Sequence, residues 1–283
     1  PNRLGLAKWI VDPDNPLTAR VTVNRFWSEI FGRGIVATLE DFGMQRASPT
    51  HPELLDWLAL EFIREGWSMK ELVRTIVLSS TYRQTAAVSP DLIERDSVNE
   101  WLARGPRFRL SAELIRDNLL AVSGRLSRKI GGPAVYPPQP EGLWKEISGA
   151  DVRHYPTSEG EDRMRRSVYT ILRRGNPHPM FLNFDGSNRS ARVTSRDRSN
   201  TPVQALNLLN APTFVEAAHS FADWIDKIPG DEEAKVTAAF RRAVSRAPSP
   251  LERETLRSLY LKHGTWFSVA QVLLNLDETV TKS

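Results

Sequence analysis

The chain has 283 residues, about twice a typical domain length, with 40% hydrophobic and 25% charged side chains. That balance is globular; it excludes a disordered chain, collagen and a long coiled coil. Thirty-eight Lys and Arg against 34 Asp and Glu give a net charge of only +4. So small an excess argues little for nucleic acid, and none is expected as a partner. The basic residues are lopsided in kind, 30 Arg to 8 Lys. Guanidinium forks onto carboxylate and phosphate, so the bias fits anion recognition, and equally a genome rich in G and C. Apolar runs such as Ile76–Leu78 fall far short of the roughly 20 residues needed to span a bilayer, which predicts a soluble chain with no membrane span. Cysteine is absent, which removes disulfides, thiolate metal sites and covalent haem attachment within the chain. The start at Pro1, without a leader, reads as a piece of a longer polypeptide.

The first third reads as helical. Leu4–Val11 and Thr18–Phe31 are separated by Asp12, Pro13, Asn15 and Pro16. Thr50 and Glu53 have capping-box spacing ahead of Leu54, Leu58 and Phe62, and Ser68 and Glu71 repeat it ahead of Leu72, Val73, Ile76 and Val77. With Gly66 between them, these two segments predict a helical hairpin. Ile115, Leu119, Val122 and Leu126 place one apolar stripe on a helix over Ser111–Ser127. Asn24, Arg25 and Trp27 read as a polar and aromatic helix edge entering the core.

From Gly131 to Gly142 glycine and proline crowd out regular structure, although Val135, Tyr136, Leu143 and Trp144 supply something to bury. Trp144 and Tyr136 suit an aromatic platform, but rings beside prolines more often pack on them. Ser167–Leu172 has the β-branched and aromatic content of a short strand. Helices return with Pro202–Leu209, then Pro212–Ile228 with Phe214, Ala218, Phe221 and Ile225 on one face. A capping box at Ser249 and Glu252 follows, and Val269, Val272, Leu273 and Leu276 mark a last helix. The expected fold is mainly α: a helical lobe over 1–130, an irregular Pro/Gly- and Arg-rich core over 131–200 with at most a short strand or hairpin, and a second helical lobe over 201–283.

The five histidines, His51, His154, His178, His219 and His263, show no metal-binding spacing, and a protein-built metal site is not expected. Phosphate-loop, dinucleotide and nucleophile-elbow motifs are all missing. What stands out is Arg163–Arg198, with nine Arg and no Lys. Arg173, Arg174, His178, Asp185, Arg189, Arg196, Arg198 and Asn200 are the candidate ligand-binding residues, because guanidinium and amide groups together suit an anionic or hydroxyl-rich ligand. Hydrolysis would need a second carboxylate beside Asp185, and the sequence offers no obvious one. The competing reading is that these side chains tie down a long loop by bonding its backbone.

Several segments together resemble a known family, the planctomycete cytochrome-associated domain of unknown function called the PSD-one domain. They are Asn15–Trp27, Phe31–Val36, Asp41–Gly43, His51–Leu58, Ser80–Gln84, Tyr136–Trp144, Asn176–Met180, Asn200–Asn210 and Leu273–Glu278. The resemblance implies the C-terminal part of an extracytoplasmic (periplasmic or secreted) multidomain protein, often with haem in an upstream cytochrome c-like domain and no cofactor of its own. It supplies no established activity or catalytic residues, so whether the chain is an enzyme stays open. Relatives commonly carry a Cys after the Asp185–Arg189 stretch, and this chain has Arg192 or a neighbour there. Two functions follow as expectations: an accessory or binding module meeting a polymer or redox-partner domain, or an enzyme or binding protein for anionic, for example sulfated, polysaccharide using the eight residues in one cleft.

Overall fold

The computed structural model describes residues 2–43, 47–140, 155–174, 176–187, 189 and 193–282. The chain divides into two compact units, one ending at Phe108 and the other spanning Arg109–Lys282. Each has its own cluster of buried apolar side chains. Both are mainly helical, as the periodicity predicts.

In the first unit, Val23, Trp27 and Phe31 recur every four residues along α2 (Thr18–Phe31) and are buried, while Arg25 between them is exposed. They meet Leu55, Leu58 and Phe62 of α3 (Pro52–Arg64) and Leu72 and Ile76 of α4 (Met69–Leu78). The α3–α4 turn uses left-handed Gly66 and Trp67, and the Trp67 ring packs edge-on to Phe62 at 5.2 Å. Asn24 is wholly buried and works as a strand would: its Nδ2 donates to Val36 O and its Oδ1 accepts from Val36 N, each at 2.9 Å. This clamp needs Gly34, where a Cβ would lie 2.5 Å from Val36 O and 2.8 Å from Asn24 Nδ2. The capping box expected at Thr50 and Glu53 does not form. Pro52 opens α3, His51 is its N-cap but its side chain makes no capping bond to the helix, and Thr50 Oγ1 lies 3.4 Å from Ile35 O. Ser68 does cap α4, accepting from Glu71 N. α1 (Arg3–Ile10) buries none of its residues, and α5 (Pro90–Arg95) is one short turn capped by Ser89.

The second unit opens with α6 (Ala112–Val122), capped by Ser111. It stops earlier than the apolar stripe suggests, because Gly124 turns the chain at φ 77°. α7 (Pro179–Asn183), α8 (Pro202–Asn210), α9 (Pro212–Asp226), α10 (Glu232–Val244), α11 (Pro250–His263), α12 (Trp266–Leu274) and α13 (Asp277–Val280) follow. α9 sits at the centre, packed on α6, α8, α10 and α12 through Phe214, Ala218, Phe221 and Ile225. The predicted box at Ser249 and Glu252 is present, and a second opens α8 between Thr201 and Gln204. Among the described residues the only sheet is a pair of two-residue strands, β1 (Phe108–Arg109) and β2 (Thr281–Lys282).

The strand expected over Ser167–Leu172 is a correction: Ser167–Tyr169 form a 3-10 turn, followed by one parallel bridge between Val135 and Thr170. A strand's composition finds no ladder there, because Asp117 takes the Ser167 N–H at 2.7 Å. Leu143, Trp144 and His154 lie outside the described residues.

Candidate functional site

The irregular middle of the second unit is organised by two buried arginines. Arg116, on α6, is 1% exposed and reaches three acceptors on residues 163–167: Nη1 donates to Arg165 O at 2.8 Å and Ser167 Oγ at 3.3 Å, and Nη2 to Arg163 O at 2.7 Å. Its neighbour Asp117 holds the same stretch through Ser167 N and, at 3.4 Å, Arg166 Nε. Burial drives the Arg116 pKa down to about 10, with the adjacent Asp117 charge opposing it. Arg165, also 1% exposed, turns the other way and donates to Lys129 O and Gly131 O, its guanidinium stacked 3.9 Å above the Tyr169 ring. Carbonyl dipoles, not carboxylates, receive these two buried charges. Arg116 and Arg165 thus fix irregular backbone, whereas Arg163 pairs with Glu216 at 2.8 Å and Arg166 with Asp117.

The eight candidate residues divide. His178 is buried as the N-cap of α7: its Nδ1 accepts from Met180 N at 3.3 Å and its Nε2 donates to Pro138 O at 3.1 Å. Burial pushes its pKa down to about 4, so the ring is neutral at pH 7 with both nitrogens occupied. Next to it, Tyr155 Oη donates to Pro137 O at 2.5 Å, so two rings grip successive prolyl carbonyls. Arg196 forks onto Glu113 of α6, its Nη1 lying 2.9 and 2.8 Å from the two carboxylate oxygens. Arg173 is half-buried and engaged, and Arg198 is exposed and engaged. Arg174 and Arg189 are exposed, and neither guanidinium has a partner among the described residues.

Asp185 and Asn200 are brought together. Asp185, left-handed at φ 58° beyond α7, accepts from Ser199 N at 2.7 Å and from Ser199 Oγ at 2.9 Å. Ser199 Oγ in turn accepts from Gln204 Nε2 at 3.0 Å. Gln204, wholly buried on α8, accepts from Arg109 Nη1, and Arg109 Nη2 donates to Asn200 Oδ1 at 2.9 Å. The result is a chain from one carboxylate through a hydroxyl and an amide to one guanidinium, which also holds the Asn200 amide. Such a chain rigidifies the loop before α8; it places no unused acid or base against open space. Among the described residues no group of three His, Asp or Glu could hold a metal ion.

Sequence reasoning missed Arg109, Arg116, Asp117, Arg165, Ser199 and Gln204. Only Gln204 carried a local signal, the Thr201-x-x-Gln204 spacing of a capping box. The first unit holds a small cavity between Trp27, Phe31, Ile35, His51, Val98 and Leu102, with the Arg33–Glu100 ion pair at 3.0 Å on its wall. It has room for water-sized guests alone.

No curated protein and no solved structure matches this sequence. The family described as PSD1, Protein of unknown function (DUF1553), matches residues 2–260, and the chain belongs to that family.

Proposed function

We propose that this domain is an accessory binding module of an exported multidomain protein, working beside a haem-bearing domain. The observation that carries the binding reading is the use made of the middle segment. His178 caps a helix and Asp185 is held by Ser199, so neither is poised as an acid or base, while Arg174 and Arg189 are exposed with no guanidinium partner among the described residues. Exposed arginines suit an anionic polymer, and a sulfated polysaccharide is the ligand we assign to them.

The test compares dextran sulfate with neutral dextran, using wild type and the double variant Arg174→Ala, Arg189→Ala. Support is binding of the sulfated polymer alone, weakened in the variant and by added salt. Equal binding of both polymers, or none, overturns the ligand. A signal peptide and a Cys-x-x-Cys-His motif upstream in the reading frame would support the exported, haem-linked setting, and a plain cytosolic start would refute it.

A further inference from the structure

The loop over residues 128–132 of the second unit has its backbone held from beneath. The carbonyls of Lys129 and Gly131 both accept from Arg165 Nη2, and the Gly131 N–H donates to Tyr169 Oη at 2.9 Å. At its base, Ser127 N donates to Met164 O at 2.9 Å, and Ser127 Oγ accepts from Lys129 N at 3.3 Å. Gly131 and Gly132 stand at φ 78° and 94°, left-handed backbone that glycine takes without strain. A Cβ at Gly132 would lie 3.3 Å from Arg165 Nη1.

What this buried scaffold holds in place is exposed. Arg128, Lys129 and Ile130 all face solvent, and Ile130, at 90%, is the most exposed large apolar side chain among the described residues. Neither the Arg128 guanidinium nor the Lys129 ammonium has a partner among the described residues. Glu161 is engaged by Ser127 Oγ at 2.5 Å and pairs with neither. Burying a charge as deeply as that of Arg165 is costly, and exposed loop tips are ordinarily left loose. Order at this tip lowers the entropy lost on binding, because two long side chains start from a fixed backbone.

We infer that residues 128–130 are a second contact for the sulfated polysaccharide, Arg128 and Lys129 taking sulfate groups and Ile130 meeting the C–H face of a sugar ring. This deepens the glycan reading and rests on it. Guanidinium and ammonium bind sulfate oxygens through charge-assisted hydrogen bonds, and a polymer long enough to touch this loop as well as Arg174 and Arg189 gains avidity from both. A bilayer is the weaker match, since one aliphatic side chain buries too little apolar area to anchor a domain.

Titration calorimetry of the full chain with dextran sulfate at low salt compares wild type with variants whose fold is checked by circular dichroism. The double variant Arg128→Ala, Lys129→Ala should raise Kd at least about fivefold. Tyr169→Phe keeps every charge and removes the acceptor for the Gly131 N–H, so a rise of about twofold or more marks a braced site and not a diffuse field of charge. Ile130→Ser should cost about twofold. Wild type that binds dextran sulfate, with Kd indifferent to Arg128→Ala, Lys129→Ala or to Tyr169→Phe, overturns this inference alone. No binding by wild type overturns the glycan reading with it. Tighter binding to phosphatidylglycerol vesicles, lost in Ile130→Ser, overturns it in favour of a membrane surface.

Discussion

His178 makes folding stability depend on pH. Above the unfolded-state pKa of 6.5 the ring is neutral in both states and its full contribution is present. As pH falls from 6.5 towards 4, the unfolded chain binds a proton that the folded one refuses, so stability drops; below the folded value both states carry the proton and no more is lost. The gap between 6.5 and about 4 corresponds to about 3 kcal/mol. The geometry agrees in direction, since a proton on Nδ1 would face the Met180 N–H it now accepts from. Carboxylates titrate over the same range, so the measurement is a difference. His178→Asn keeps an acceptor for the Met180 N–H and cannot titrate. In urea unfolding at a series of pH values between 7 and 4, the stability of wild type relative to His178→Asn should fall by about 3 kcal/mol. A His178 imidazole proton resonance that titrates near 6.5 in the folded protein, or a difference independent of pH, would refute the argument.

Replacing Arg116 with Met should cost about 3–5 kcal/mol, because three acceptors on 163–167 lose a charged donor inside the protein. Calorimetry should show a lowered transition for the second unit, roughly 10 °C down. Asn24→Leu fills the same space but strands the Val36 N–H and C=O, for an expected loss of about 2–4 kcal/mol and faster hydrogen exchange at the Val36 amide. Gly34→Ala should loosen the same amide, since its methyl would meet Val36 O. By contrast, Arg246 bonds Glu252 and Glu278 at 2.6 Å in solvent, so Arg246→Ala should cost at most about 1 kcal/mol in urea melts, less in high salt.

Much of the helical architecture is legible residue by residue. The four-residue recurrence of Val23, Trp27 and Phe31, the face of Phe214, Ala218, Phe221 and Ile225, and the box at Ser249 and Glu252 all depend on neighbours within a turn or two. α10 is less so, because its buried Val236, Ala239, Phe240 and Ala243 are small or few among charges. Thr50 and Ser167 show where local reading fails. Each has the right neighbours for a cap or a strand, and each is claimed by a group from elsewhere: the carbonyl of Ile35, the carboxylate of Asp117.

The candidate site fails to be legible for the same reason on a larger scale. Nine arginines between 163 and 198 are visible as a count, yet nothing near Arg165 or Arg174 in sequence says that the first is sealed under a tyrosine ring and the second stands in water. Periodicity and capping are short-range and determine where helices run. Whether a guanidinium ends on a backbone carbonyl, a carboxylate or solvent depends on chain tens of residues away, as with Arg116 and its acceptors at 163–167, and only the folded arrangement brings that chain within hydrogen-bond reach.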